Sequence, residues 1–423
     1  MTTAEKTGDP RRDDRDFDIA LYGATGFVGR LTAQYLATAA PAGARIALAG
    51  RNSAKLEELR AELAAAAPAA ANWSVLVASA TDPESLDTIA AASQVVVSTV
   101  GPYLTYGLPL VEACARRGTD YADLTGETLF VRDSIDAWHD PAVASGARIV
   151  HACGFDSIPS DITTFLLHER AVADGAGELG ETTLLVRRIR GGASGGTAAS
   201  GYAQIVRAKE NDDDAEQVKD PYTLTTDRSA EPEHGAQRDD VVVRANRINP
   251  SLKGWAAPFF MAPFNTRVVR RTNALYGWKY GRSFKYSEAM AVGPTPVPAY
   301  ALSGTLRVLN AAAAAVPARV VERLLPKPGT GPSEEARLKG GYTIETYTTT
   351  TSGRRYVARI SQIGDPGYNG TSVLIGESAL CLAFDRQHLV ADGGVMTPAY
   401  AMGAPLAGRL AVAPGVSLVV EPA

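Results

Sequence analysis

The sequence predicts an α/β protein that combines a doubly wound parallel sheet with a second domain of α+β type, whose sheet is mainly antiparallel. Up to about residue 157, short apolar stretches alternate with helical segments, which is typical of a parallel sheet covered by helices. Beyond that point, apolar and polar side chains alternate along several segments, which indicates a sheet with one solvated face. The length of 423 residues leaves room for both domains.

The first domain begins with the apolar strand Phe17–Tyr22, which leads into a glycine-rich turn. The β-branched run Val95–Val100 is typical of a strand that is buried on both faces of its sheet. A helix is predicted to begin after Asp82, because Asp is a favoured N-cap and Pro83 suits the first helical position. The other predicted strands are Arg45–Ala49, Trp73–Val77, Asp120–Asp123 and Arg148–Ala152. The other predicted helices are Val28–Leu36, Ser53–Ala66 and Leu108–Arg116.

Period-two alternation defines the strands of the second domain. In the segment Trp278–Tyr286, for example, Tyr280 and Phe284 fall on one side, whereas Lys279 and Lys285 fall on the other. The further strands predicted in this way are Thr182–Arg190, Tyr342–Thr350 and Tyr356–Ile363.

The composition is that of an ordinary globular protein, with 45% hydrophobic and 21% charged residues. It excludes intrinsic disorder or a fibrous chain as a description of the whole. The net charge of −4 argues against nucleic acid as a partner, and against an anionic membrane surface.

The cysteines and the N-terminus bear on the cellular compartment. Cys114, Cys153 and Cys381 are odd in number and scattered, so we expect reduced thiols and no metal site. Residues 1–16 are highly charged and lack an apolar segment, so we expect a disordered tail and no signal peptide. The prediction is a cytoplasmic protein.

The apolar stretch Ala299–Val316 is the one candidate for a membrane contact. A spanning helix needs about 20 apolar residues, and a central Arg costs about 2.5–3.5 kcal/mol. Because the stretch contains Arg307 and Asn310, we predict a buried or interface helix. Peripheral contact with lipid, and with it membrane association, is left open.

Three glycines follow the first strand at the spacing of a dinucleotide-binding turn. Gly23 permits a tight turn, Gly26 lets the backbone approach a diphosphate, and Gly29 lets the helix pack close to the strand. The helix that begins here offers free N–H groups and a partial positive charge to phosphates. We therefore predict that the turn binds a dinucleotide through Gly23, Thr25, Gly26, Phe27, Val28 and Gly29.

The end of the second strand predicts which dinucleotide binds. NAD-binding domains carry an acidic residue here, whereas this chain has Gly50, Arg51 and Asn52. A guanidinium suits a 2′-phosphate, so we predict NADP and assign these three residues to its site. The alternative is that Arg51 only stacks on adenine or meets solvent. Asp82, the predicted helix cap, is also assigned to the cofactor site.

Polar residues follow the later strands of the first domain, at the sheet edge where ligands of such folds bind. Gly101 and Pro102 form a rigid turn that we assign as a wall for the nicotinamide ring. Tyr103, Tyr106 and Asp156 are the predicted catalytic residues, with either tyrosine as a proton donor. The alternatives are that the tyrosines only pack and that Asp156 and Ser157 cap the helix that follows them.

Other motifs point to different chemistry and carry less weight. No tyrosine is followed four residues later by lysine, which excludes the acid of short-chain dehydrogenases. Gly192–Gly196 fits a nucleophile elbow, with Asp365 and His388 in hydrolase order, but the strand before it ends in arginines. The basic, aromatic stretch Arg267–Lys285 predicts either a solvated sheet face or a dock for phosphopantetheine, CoA or an acidic carrier protein.

Several segments together resemble the saccharopine-dehydrogenase-like oxidoreductases, in particular an actinobacterial branch that contains trans-acting enoyl reductases. The resemblance covers nearly the whole chain, and its motifs are specific only in combination. The segments that carry it are Leu21–Phe27, Ala49–Arg51, Val100–Tyr103, Tyr121–Glu127, Cys153–Asp161, Ala262–Arg267, Pro326–Ser333 and Gly393–Ala399.

The resemblance implies an NADP-binding Rossmann domain at 17–157, interrupted by an α+β substrate and dimerisation domain at 158–392. It implies that 393–423 returns to the first domain through a helix over Thr397–Leu410. It further implies NADPH-dependent reduction of an α,β-unsaturated polyketide or fatty-acyl thioester in lipid biosynthesis, presented by a polyketide synthase or carrier protein. A carbonyl or imine reductase and a non-catalytic NADP-binding protein remain alternatives, and a homodimer is left open.

Overall fold

The computed structural model describes residues 14–191, 195–235, 237–315 and 331–423. Three predictions fall at least partly outside these residues. They are most of the tail 1–16, the first three residues of the Gly192–Gly196 motif, and Val316 at the end of the apolar stretch.

The first domain alternates strands and helices, as predicted. A single helical turn, Tyr103–Tyr106, follows the fourth strand. The elements are β1 (Phe17–Tyr22), α1 (Phe27–Ala39), β2 (Ile46–Gly50), α2 (Ser53–Ala66), β3 (Ser74–Val77), α3 (Pro83–Ala92), β4 (Ser93–Ser98), α4 (Leu108–Arg117), β5 (Asp120–Asp123), α5 (Thr128–Ser145) and β6 (Arg148–Val150).

The rest of the chain forms the second domain and returns twice to the first domain. Short helical turns also occur at Ala245–Ile248 and Glu334–Leu338. The elements are α6 (Ile158–Ala173), β7 (Leu179–Arg190), α7 (Gly195–Glu210), α8 (Asp212–Lys219), β8 (Val243–Arg244), β9 (Trp255–Pro258), α9 (Ala262–Leu275), β10 (Lys285–Gly293), α10 (Pro296–Ala315), β11 (Gly341–Thr350), β12 (Arg355–Ile363), α11 (Thr371–Phe384), β13 (Gly394–Met396), α12 (Pro398–Val412) and β14 (Val416–Pro422).

The first sheet is parallel throughout, in the order β13-β6-β5-β4-β1-β2-β3. Strand β1 lies in the middle, where Ile19 pairs with Ile46 of β2 and with Val95 of β4. These three side chains are almost completely buried, because helices cover both faces of the sheet. The carboxyl ends of β1, β2, β4, β5 and β6 therefore meet along one edge.

The second sheet is mixed and mainly antiparallel, in the order β14-β12-β11-β7-β10-β9-β8. Only the pair β7 and β10 is parallel among the described pairings. The predicted fold class is confirmed for both sheets. The predicted strand Trp278–Tyr286 is wrong in its position, since the strand begins at Lys285. Gly277 and Trp278, with φ of 64° each, are in the left-handed region, which an extended strand cannot accommodate.

The chain crosses between the domains at other points than the predicted boundaries. Helix α11, assigned to the second domain, packs on α1, and the Tyr35 hydroxyl donates a hydrogen bond of 2.5 Å to Glu377. Strand β13 then lies beside β6 in the first sheet. Strand β14 pairs with β12 in the second sheet, so the prediction that 393–423 belongs to the first domain is wrong for its last strand.

Helix α10 contains most of the apolar stretch that raised the question of a membrane contact. It packs against β9 and β10, while Val297 and Tyr300 on its outer side are exposed. No helix in the described ranges is both long enough and apolar enough to cross a bilayer.

Candidate functional site

The glycine turn after β1 forms a cradle that any larger side chain would fill. Gly23 has φ of +87°, and a Cβ there would lie 2.7 Å from the hydroxyl oxygen of Thr99. A Cβ on Gly29 would overlap the carbonyl oxygen of Gly23. Gly26 is the N-cap of α1, and no side chain caps the helix or places an acid in its first turn. The start of α1 is therefore open to an anionic group, which fits the diphosphate of a dinucleotide.

A second cation joins Arg51 at the end of β2. Thr25, Arg51, Asn52 and Lys55 line a cavity of about 380 Å³ beside the cradle. The Asn52 side chain accepts a hydrogen bond of 3.0 Å from the Lys55 amide and so caps α2. Two exposed cations at the start of a helix fit a phosphate monoester. Lys55 was not assigned to the site from the sequence. The signal that could have identified it is its position one helical turn after Arg51.

The other assigned cofactor residues lie around this edge of the sheet. Gly50 lies close to Thr25, since a Cβ on it would be 4.0 Å from the threonine hydroxyl oxygen. Asp82 caps α3, accepting a hydrogen bond of 3.4 Å from the Ser85 amide, as predicted for the helix. Its contact with a cofactor remains a prediction, as do those of Gly101 and Pro102, which follow β4.

The side chain of Tyr103 is buried, and its hydroxyl group is held by two hydrogen bonds between the ends of β4 and β5. The hydroxyl donates to the Ser98 carbonyl oxygen at 3.0 Å and accepts from the Leu124 amide at 3.1 Å. Burial raises its pKa well above the usual range. This geometry argues against the predicted role of Tyr103 as a proton donor and supports the packing alternative.

The helical turn that begins at Tyr103 is held by a buried carboxylate. Glu127 accepts hydrogen bonds from the amides of Tyr103 at 2.9 Å and Leu104 at 2.6 Å. Burial raises the pKa of Glu127, and these bonds oppose the shift. Tyr106, at the other end of the turn, is 39% exposed, so its side chain remains accessible to a ligand.

Asp156 lies on the loop after β6, at the same edge as the cradle. A Cβ on Gly126, in the loop after β5, would be 3.8 Å from its carboxylate oxygen. Burial alone raises the pKa of Asp156 from 3.8 to about 7. A carboxyl group that titrates near neutrality can hold and release a proton in the working pH range. Among the three predicted catalytic residues, Asp156 therefore has the environment that fits proton transfer best.

The second domain supplies a polar chain next to Asp156 that the sequence did not indicate. Ser157 donates a hydrogen bond of 3.0 Å to the side-chain oxygen of Asn265, and the Asn265 amide donates to Glu288 at 3.0 Å. Glu288 also accepts from the Tyr286 hydroxyl at 2.9 Å, and burial raises its pKa to about 7. Ser157 is the N-cap residue of α6 but makes no side-chain cap, so the capping alternative is wrong for this residue.

The basic stretch Arg267–Lys285 is mostly neither a solvated face nor a docking surface. Arg270 donates a hydrogen bond of 3.0 Å to the Tyr286 carbonyl oxygen, and Arg271 donates one of 2.6 Å to that of Val395. Both are buried, and burial lowers the pKa of Arg271 to about 9. Arg267, also buried, is paired with Asp239. These arginines hold the chain together internally, so both predictions for the stretch are wrong at these positions.

The hydrolase alternative finds no support in the described residues. Asp365 accepts a hydrogen bond of 2.9 Å from the Gly367 amide and begins a helical turn. His388 lies in a separate turn, with its ring Nε2 3.2 Å from the side-chain amide nitrogen Nε2 of Gln387. The serine of the motif lies outside the described residues.

Comparisons with known proteins identify the family of the first domain, and relatives with similar sequences also cover the second domain. Residues 19–150 match the family described as the saccharopine dehydrogenase NADP binding domain. This match runs from β1 to β6, the part of the chain that carries the cradle and the two cations.

Relatives of this chain are similar to it over nearly the full length, and two of them illustrate this. A putative trans-acting enoyl reductase of Mycobacterium tuberculosis is 54% identical over 413 residues, which cover 96% of this chain and 97% of the relative. A trans-acting enoyl reductase of Mycobacterium bovis is 50% identical over 417 residues, which cover 96% of this chain and 98% of the relative.

One solved structure matches the whole architecture. It is apo saccharopine dehydrogenase (L-Glu forming) from Saccharomyces cerevisiae, with a TM-score of 0.54 over 96% of this chain and 99% of the other. The two sequences are 14% identical, so this likeness concerns the fold.

Proposed function

The chain belongs to the family of trans-acting enoyl reductases, within the saccharopine dehydrogenase-like oxidoreductases, and we propose that it reduces an α,β-unsaturated acyl thioester with NADPH. The observation that carries this proposal is the identity of 54% and 50% to two such reductases over 96% of the chain. The shared length includes the second domain, which borders Asp156, and not the cofactor domain alone.

The cofactor chemistry follows from the residues that hold it. The open start of α1 binds the diphosphate, and Arg51 with Lys55 binds the 2′-phosphate that distinguishes NADPH from NADH. Gly101 and Pro102, which follow β4, would form a wall for the nicotinamide ring. When bound, NADPH supplies the hydride that reduces the double bond.

Asp156 supplies the proton that completes the reduction. Reduction at the β-carbon leaves negative charge on the thioester, and a proton must then reach the α-carbon. The carboxyl of Asp156 is protonated in a large fraction of molecules near neutral pH, because burial raises its pKa to about 7. Tyr106, on the exposed side of the turn after β4, contacts the acyl chain in this proposal.

We further propose that the acyl chain arrives on a polyketide synthase or carrier protein, as part of lipid biosynthesis. The word "trans-acting" in the names of the relatives supports a substrate that belongs to another protein. A cytoplasmic location fits such a partner. The surface that meets it is left open, because the basic stretch Arg267–Lys285 is largely internal.

The experiment uses purified protein, NADPH and enoyl thioesters of several chain lengths on CoA and on an acyl carrier protein. The proposal predicts loss of the NADPH absorbance band and a product heavier by two hydrogens. With deuterium-labelled NADPH, the label should appear at the β-carbon. Label at a carbon that bears a new hydroxyl or amine would identify a carbonyl or imine reductase instead. Lack of turnover with every enoyl thioester would contradict the proposal.

Replacing Arg51 or Lys55 with alanine should weaken NADPH binding and leave NADH binding nearly unchanged. Each cation makes charge-assisted contacts that only the 2′-phosphate can accept, so the expected loss is about 10- to 100-fold in Kd for NADPH. Calorimetric titration of both cofactors measures this difference. Equal losses for NADPH and NADH would mean that the cations do not bind the 2′-phosphate.

A further inference from the structure

A cation of the second domain packs against Phe27, the first residue after the glycine Gly26 of the cradle. We propose that Arg337 binds the diphosphate of NADPH, so that residues 331–340, here called the strap, close the cofactor site from the second domain. The inference rests on the proposed function, because it assumes that NADPH occupies the cradle. It adds a contact from a part of the chain that lies outside the NADP-binding domain match at 19–150.

Phe27 is the point where the strap meets the cradle. It is the first residue of α1 and follows Gly26 directly. The guanidinium carbon of Arg337 lies 5.1 Å from the centre of the Phe27 ring. The Tyr368 ring packs edge-on against the same ring at 4.9 Å, and a Cβ on Gly331 would lie 2.5 Å from it. Three residues of the second domain thus lie against the Phe27 side chain.

The charge of Arg337 has no anionic partner in the described part of the chain; its guanidinium lies over the Phe27 ring. No carboxylate lies within ion-pair distance of its guanidinium among the described residues, whereas the neighbouring Lys339 pairs with Glu335. Its Nε is buried and lacks a hydrogen-bond acceptor among the same residues. Buried donors are rarely left unsatisfied, and a diphosphate carries both the acceptor oxygens and the negative charge that are missing here.

The strap is fixed firmly enough to hold this cation in place. The Arg337 carbonyl oxygen accepts hydrogen bonds from the amides of Asp365 at 2.8 Å and Gly340 at 3.1 Å. The Gly364 amide donates to the Gly340 carbonyl oxygen at 3.1 Å. These bonds tie the strap to the loop that carries Tyr368. The backbone of Arg337 is therefore held beside Phe27 by the second domain, which lowers the cost of ordering this residue on binding.

Arg337 and the pair Arg51 and Lys55 face different groups of the same cofactor. The two cations after β2 suit the 2′-phosphate, which only NADPH carries. The diphosphate next to the cradle is common to NADPH and NADH. A contact with it should therefore affect both cofactors equally, and this difference makes the role of Arg337 separable from that of the other cations.

The test compares Arg337→Ala with Lys339→Ala, a change of another strap cation that pairs within the strap. Calorimetric titration should show that Arg337→Ala weakens NADPH and NADH by a similar factor of about 10 to 100. Lys339→Ala should leave both Kd values within about twofold. The rise in melting temperature caused by NADPH should shrink in the Arg337 variant and persist in the Lys339 variant.

A second substitution, Arg337→Gln, covers the case in which alanine removes needed packing on Phe27. It keeps much of the side-chain length but not the charge, so it should show the same loss of affinity. Unchanged Kd values in a folded Arg337 variant, or a loss confined to NADPH, would overturn the role of Arg337 alone. A wild-type protein that binds neither cofactor would overturn the proposed function as well.

Discussion

Replacing Asp156 with asparagine should lower the turnover of an enoyl thioester by about 10²- to 10⁴-fold, the usual contribution of a positioned acid or base. Asparagine has nearly the same shape but cannot donate the proton that the α-carbon needs. NADPH affinity should stay close to that of the wild type, because Asp156 is not part of the cradle. Single-turnover measurement of thioester reduction, beside a calorimetric titration of NADPH, separates the two effects.

The loss of Asp156 should also change how turnover depends on pH. Because the pKa of Asp156 is raised to about 7, its protonated fraction falls as the pH rises through neutrality. Turnover of the wild type should therefore decline above about pH 7, and the residual activity of the Asp156→Asn variant should lack this decline. A variant that keeps the same alkaline decline would assign the proton donor to another group.

Asp156→Asn should lower turnover, but it should not lower the stability of the fold at alkaline pH. A carboxyl whose pKa is higher in the folded than in the unfolded state binds more protons when folded, so stability falls as the pH rises between the two values. For Asp156 this window runs from 3.8 to about 7. Asparagine removes the penalty, so urea unfolding at pH 8 should show a variant at least as stable as the wild type. A clear loss of stability would indicate a structural role.

Tyr103→Phe is the matched control for Asp156→Asn, because Tyr103 is the buried tyrosine among the candidates for the proton donor. Its hydroxyl bonds to Ser98 and Leu124 within the first domain, so its loss should cost about 1 kcal/mol of stability. The alkaline decline of turnover should remain, since Asp156 is unchanged. Disappearance of that decline in Tyr103→Phe would restore the tyrosine as the proton donor.

Replacing Gly29 with alanine should abolish measurable NADPH binding. The added Cβ would overlap the carbonyl oxygen of Gly23, which is backbone and cannot move without reshaping the cradle. We expect a loss of more than about 100-fold in affinity, together with about 1–3 kcal/mol of stability from overpacking. Calorimetry and urea unfolding measure the two losses.

Gly408→Ala is the control for that substitution. Gly408 lies on an exposed part of α12, and a Cβ there would meet nothing within 4 Å. The change should leave NADPH affinity as it is and increase stability by a few tenths to 1 kcal/mol, because alanine favours helix. Normal NADPH affinity in Gly29→Ala would show that the diphosphate does not lie against this turn.

Local patterns in the sequence predicted most of the fold, since each depends on neighbouring residues. The run Val95–Val100 and the cap at Asp82 needed no information beyond their own segments. The strand predicted at Trp278–Tyr286 failed because alternation does not reveal a residue with positive φ. Helix α11 is buried along nearly its whole length, so its sequence could not indicate which sheet it covers.

The candidate site likewise has parts that could be predicted from the sequence and parts that could not. The cradle from Gly23 to Gly29 is a local motif and could be predicted, whereas its contact with Arg337 depends on a segment far along the chain. Tyr103 follows a strand that ends at the site, but only the structure shows that its hydroxyl turns back to Ser98. Chain position predicted which residues come near the site, and packing decided which of them face it.

A crystal structure of the protein with NADP+ would test the proposed cofactor site. We expect the diphosphate at the start of α1, within reach of Arg337, and the 2′-phosphate between Arg51 and Lys55. The nicotinamide ring should rest on Gly101 and Pro102 with one face open toward Asp156. An empty cradle at saturating NADP+, or a cofactor bound elsewhere, would show that this turn does not hold the dinucleotide.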